Sequence, residues 1–329
     1  MSPTVRRILI FIAVAFGIAY LIGLVIWLTG GIFDSPLVID VPGVIQLRLS
    51  ILLIAGVYMF SPAVANIVTR YVTQEGFDNL WLAFKLREGW PFWLIAWFGT
   101  PLLILVGAAL FYAIFPDTFD PTFGVFRDLL EAQLAAASQS IDDLGISITA
   151  LVLLQFAQGV FLGPVINALF VFGEEFGWRA YLQQRLLQVA RPRLVMVLMG
   201  VIWGLWHAPI IAMGHNYGLV YPGYPWAGIA AMCWFTFVAG TFIAWLTIKG
   251  RSVWPAVIAH GSLNGVAGIV LLSTVGNPNP VIGPSVAGVP GSAGFALVTL
   301  LVMTLPGALE EPGEAAKPLP DRSSQPAHR

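Results

Sequence analysis

Apolar residues run along this chain in blocks of roughly twenty, separated by short polar connections. The blocks fall at about 8–28, 50–68, 92–115, 147–173, 194–213, 227–248, 253–272 and 292–309. A membrane-spanning helix needs about 20 predominantly apolar residues. The pattern therefore predicts an all-α polytopic bundle of about eight transmembrane helices, folded as one domain over 1–309. The first block follows Arg6-Arg7 but is too long for a signal-peptide core, and no small-residue cleavage site follows it; it is expected to be retained. Between Pro116 and Gly145 lies the longest polar connection, with a short surface helix predicted over Phe123–Ala137. The stretch Gln183–Arg193 is expected to be a basic interfacial helix. From Glu310 to Arg329 the Pro, Ala and charged residues predict a disordered cytoplasmic tail. No internal repeat of the secondary-transporter kind is visible.

Composition agrees with the blocks. Hydrophobic residues make up 58% and charged residues 10% of the 329, and the mean hydropathy is +0.83. Soluble domains carry about 25% charged residues. The sixteen Lys and Arg also fix an orientation. With the N-terminus in the cytoplasm, only Arg48 and Arg127 fall outside, as the positive-inside rule requires. An even number of spans then puts the C-terminus in the cytoplasm too. The expected location is the cytoplasmic membrane, with lipid as neighbour and no nucleic-acid partner. Cys233 is the single cysteine, which excludes an internal disulfide and a thiolate metal cluster.

In such a chain the least expected feature is Glu174-Glu175, within Glu174-Glu175-Phe176-Gly177-Trp178-Arg179. Ionisable side chains at membrane depth cost about 2.5–3.5 kcal/mol on insertion scales and usually face a wet, functional cavity. Neighbouring helix residues are about 100° apart, so the two carboxylates diverge. Arg179 follows Glu175 at the favourable i, i+4 spacing, which predicts an ion pair. Glu174 has no local cation, so a partly desolvated Glu174 is a candidate general base. The bland alternative is that both are solvated at a helix end.

Three more polar residues lie in later apolar blocks. His207 shares a helix face with Trp203, and Pro209 predicts a bend beside a cavity. His260 and Asn264 form an i, i+4 stripe that would make an oxyanion site. An interhelical hydrogen bond and a packing clamp are the respective alternatives. Gly200/Gly204 and Gly261/Gly265 are spaced for close helix approach. His215 and His328 are expected to lie outside the site. In a straight, upright bundle Glu174 sits at the inner boundary, with His207 about 20 Å and His260 about 10 Å along their helices. Convergence then requires tilt, a bend at Pro209 or Pro164, or a later helix start.

Glu-Glu-x-x-x-Arg at 174–179, aromatic-x-x-x-His at 203–207 and His-x-x-x-Asn at 260–264, in this order, resemble the CPBP (CAAX protease and bacteriocin-processing) family of intramembrane endopeptidases, related to the Ras-converting CAAX proteases. The resemblance covers about 75–275, including Lys85-Leu86-Arg87, which is similar to the family's access region. Trp203 stands where the family commonly has Phe. The resemblance implies hydrolysis of a peptide bond in a membrane-associated protein or peptide. Glu174 and His207 would activate water, His260 and Asn264 would stabilise the oxyanion, and Glu175, Arg179 and Trp203 would support them. It leaves metal dependence open. No His-Glu-x-x-His is present; no cofactor is favoured, and zinc, held by Glu174, His207 and His260, is the alternative. The cavity is expected to open toward the cytoplasm. A rival reading is a non-catalytic peptide-binding, immunity or scaffold protein.

Overall fold

The computed structural model describes residues 1–41, 45–136 and 138–311, and the fold is mostly helical (69%). Helix α1 (Pro3–Leu28) starts with Ser2 capping Val5 N at 3.3 Å and Pro3 in the first turn, the usual chemistry of a helix start. A two-stranded hairpin follows, β1 (Leu37–Val41) and β2 (Ile45–Arg48), which the apolar pattern did not predict. Next come α2 (Leu49–Val72) and α3 (Leu86–Ile114), each containing a π-turn. In α3 the π-turn lies one turn after Pro91, which lacks a backbone donor. Helix α4 (Gly124–Ala136) is the surface helix expected in the long connection. Helices α5 (Ile148–Phe161) and α6 (Gly163–Leu186) are bent by 47° to one another, at the break beside Pro164. The remaining helices are α7 (Pro192–Trp206), α8 (Trp226–Gly250), α9 (Trp254–Ser273) and α10 (Ala293–Thr304).

Among the described residues, α1, α2, α3, α8 and α9 are long and apolar enough to cross a membrane, and the bent α5–α6 pair makes a sixth candidate. The predicted blocks at 194–213 and 292–309 are occupied by shorter helices, of 15 and 12 residues. The first of them stops at His207, and a separate short helix, Ala208–Ile211, carries Pro209 in its first turn. Both predicted bends are therefore present.

Glycines set the closest contacts. A Cβ on Gly200 would lie 2.5 Å from Phe237 Cα, and one on Gly204 2.5 Å from Cys233 Cα, so only glycine lets α7 lie this close to α8. On α9, a Cβ at Gly261 would lie 2.8 Å from the Pro164 carbonyl and one at Gly265 2.8 Å... from the Gly159 carbonyl; this pair packs against the α5–α6 break. Gly173 and Gly177 press α6 onto the Met59–Pro62 turn of α2.

At one end of the bundle, Glu75 takes an ion pair from Arg7 (3.2 Å) and another from Arg185, and accepts the Tyr181 hydroxyl at 2.8 Å. Arg70 is buried beside them, donating to Asn66 Oδ1 at 2.7 Å and to the Gly76 and Asp78 carbonyls. A basin of about 890 Å³ opens here, lined by Lys85, Gln184, Arg185, Gln188 and Arg251 among others. This is the basic end of the molecule. Helix α6 runs on to it past the acidic pair, so Glu174 and Glu175 lie mid-helix rather than at a helix end. The expected interfacial helix over Gln183–Arg193 is also replaced: Gln183–Leu186 is the last turn of α6, with Gln183 and Leu186 buried, and Pro192 starts α7. Surrounding elements cover the charges, so nothing forces the helix to stop at them. The tail expected to be disordered lies, beyond Glu311, outside the described residues.

Candidate active site

Glycine placement turns the acidic pair toward its partners. Gly173 and Gly177 occupy the α6 face against α2. At 100° per residue, Glu174 then points roughly 80° away from that face and Glu175 about 180° away. The two carboxylates meet different neighbours. Glu175 is fully buried and pairs with Arg179, Nη1 to Oε1 at 3.2 Å. The same Oε1 accepts from His260 Nδ1 at 2.8 Å. Glu174, 3% exposed, accepts the Trp203 indole N–H on Oε2 at 2.8 Å.

Trp203 joins the parts. Its ring lies under the Arg179 guanidinium, 4.3 Å from centroid to Cζ, and edge-on to His260 at 5.3 Å. Its backbone carbonyl meets His207 Nδ1 at 2.8 Å. A carbonyl only accepts, so Nδ1 carries the proton, and Nε2 of the neutral ring is left as an acceptor. The Glu175 carboxylate fixes His260 in the same way, with Nδ1–H donating and Nε2 free to face the cavity. Nε2 of His260 can then donate only when both ring nitrogens carry a proton.

Glu174, Trp203, His207, His260 and Asn264 all line one cavity of about 300 Å³, bounded also by Tyr58, Trp206, Met232 and Phe235. Tyr58 donates its hydroxyl to the Trp206 carbonyl and packs against that ring at 4.5 Å and a 53° tilt, closing the wall on the α2 side. The depth mismatch of an upright bundle is removed by the breaks: His207 caps the end of α7, and α5 and α6 are bent at Leu162. Glu175 and Arg179 form the layer behind.

One residue departs from the sequence reading. His215 lines the cavity too, its ring parallel to that of His207 at 6.5 Å, because the chain turns back after the short 208–211 helix. His328 lies outside the described residues. The lining residues that reach the surface are Asn216 and Asn264. Asn264 is one helical turn beyond His260, away from the basic end. Trp203, expected as a supporting residue, holds Glu174 through its N–H; a phenylalanine has no such donor.

Among the described residues no three His, Cys, Asp or Glu side chains are gathered so as to hold a metal ion. The indole engages only Oε2 of Glu174 and the histidine bonds only the Nδ1 atoms, so the case against the trio rests on placement and not on occupied donors. The alternative trio Glu174, His207 and His260 does not form a ligand sphere as arranged, and no step below passes through a metal.

No curated protein matches the chain. One family model does, over residues 148–266, from the start of α5 to near the end of α9. This span contains the acidic pair, Trp203, His207, His260 and Asn264, and it lies inside the 75–275 stretch of the resemblance. Residues 148–266 of this multi-pass membrane protein form an Rce1-like domain, the type described as type II CAAX prenyl endopeptidase Rce1-like.

Proposed function

We propose that this chain is an intramembrane endopeptidase of the cytoplasmic membrane that cleaves a membrane-associated protein or peptide by metal-independent, glutamate-assisted hydrolysis. One observation carries the reading: four polar side chains from three helices line a single cavity inside an otherwise apolar bundle. Glu174, held through Oε2, has Oε1 to take a proton from water. His207 Nε2, an acceptor by its tautomer, shares that water. The water oxygen attacks the scissile carbonyl carbon, and the carbonyl electron pair moves onto its oxygen. Asn264 Nδ2 and the His260 imidazolium donate to this oxyanion, which a dry site makes worth several kcal/mol, on the order of 3 per donor. The oxyanion then collapses, the C–N bond breaks, and the proton held by Glu174 passes to the leaving amine. Glu175 and Arg179 keep His260 oriented from behind.

The test is cleavage of a membrane-tethered peptide by the purified full chain. Glu174→Gln is expected to remove activity and leave the fold intact; full activity in that variant would sink the mechanism. Chelation is expected to leave the wild-type rate unchanged, and loss of activity restored by added zinc would reverse the metal-free assignment.

A further inference from the structure

Three polar residues follow one another at four-residue intervals along α6: Glu175, Arg179 and Gln183. All three are buried, at 0%, 1% and 0% exposure. Each has polar atoms without a hydrogen-bond partner among the described residues: Glu175 Oε2, Arg179 Nε, and both Nε2 and Oε1 of Gln183. The indole N–H of Trp178, beside Arg179, is in the same condition. Buried side chains that keep such atoms are ordinarily paired with protein or with ordered water. One orphan is unremarkable, but a run of them along one helix face has a direction.

The intervals hold through the π-turn Trp178–Leu182, where Gln183 N–H bonds to the Trp178 carbonyl. A π-turn has about 4.4 residues per turn, so residues four apart still fall on nearly the same side. The upper end of the run stands behind the cavity, because the other oxygen of Glu175 holds His260. Its lower end stops just short of the basic-end basin: Gln183 is fully buried, and its chain neighbours Gln184 and Arg185 line that basin. We propose that the Glu175–Arg179–Gln183 stripe carries a file of ordered water from this basin to the back of the cavity. The exposed residues of the cavity lining, Asn264 and Asn216, belong to other segments of the chain, and a peptide bound over them would close the cavity on that side. A rear route would then resupply the water consumed in each turnover. This role rests on the hydrolytic reading above; the presence of the file does not.

The experiment uses the full chain in detergent or nanodiscs. Brief radiolysis oxidises side chains next to bound water, and mass spectrometry locates the added oxygen. Trp178 is expected to be oxidised although it is fully buried, while Phe295, equally buried but lining neither the basin nor the cavity, stays unmodified. Gln183→Leu is expected to abolish the Trp178 signal; Gln183→Glu, which keeps the polar group, is expected to retain it. Equal absence of label at Trp178 and Phe295 in the wild type would overturn the file. So would a rise in Tm in Gln183→Leu, because removing two dry orphans stabilises a protein whereas removing two water-bound ones does not. In peptide cleavage, Gln183→Leu is expected to lower kcat and leave KM unchanged. A wild type that is labelled at Trp178 but cleaves nothing would refute the protease and leave the file standing. A cleaving but unlabelled one would do the reverse.

Discussion

Trp203 bears on three charged or ionisable groups at once: its N–H on Glu174, its ring face under Arg179, and its edge toward His260. Replacing it with phenylalanine keeps a ring and removes only the N–H. Hydrogen bonds to charged groups contribute about 1.5–3 kcal/mol. Trp203→Phe is therefore expected to stay folded and lose roughly 10- to 100-fold in kcat, read by peptide cleavage alongside a melting curve. The acidic pair is predicted to split. Glu174→Gln should change Tm little. Glu175→Gln leaves Arg179 without its carboxylate and should cost on the order of 3–5 kcal/mol, the range for breaking a buried pair. Equal Tm losses in the two variants would show that the pair was divided wrongly. Much of this was legible in the sequence. Helical spacing joins Glu175 to Arg179 and separates Glu174, and the structure gives the ion pair at 3.2 Å. What spacing could not give is contact between residues far apart in sequence. His260 meets Glu175 across 85 positions and Trp203 meets Glu174 across 29. His215 enters the cavity only because the chain doubles back after Ile211.

At the scale of elements, apolar blocks located the long helices and missed how they are interrupted. Length and hydropathy do not distinguish a straight span from a bent pair, so the break at Leu162 and the end of α7 at His207 had to be anticipated from proline alone. Nor does an acidic pair end a helix when its charges are covered, which is why α6 continues to Leu186. The hairpin β1–β2 escaped notice because its residues are largely exposed and too few to form a block. Small residues define the interfaces. Gly204→Leu would drive a side chain into the α8 backbone at Cys233. Overpacking of this kind costs typically about 1–3 kcal/mol, and here the shift would also carry His207 out of line. The expected result is a lower Tm together with lost cleavage, whereas Gly56→Leu, on a glycine with open space around it, should alter neither.

For the whole molecule, the Lys and Arg distribution predicts that the basic end faces the cytoplasm. Single cysteines placed at Arg87 and at Arg127, in a Cys233→Ser background, test this with a membrane-impermeant thiol reagent applied to intact cells. Position 127 is expected to label and position 87 to require lysis; the opposite pattern would invert the orientation. The close packing of α7 on α8 has a separate practical consequence. The chain's single thiol, Cys233, sits against Gly204 three residues before His207 and is only partly covered. The native protein thus carries a built-in chemical gauge of that seam: the speed with which Cys233 is alkylated reports how often the two helices separate, and a bulky adduct would act as a wedge beside the cavity.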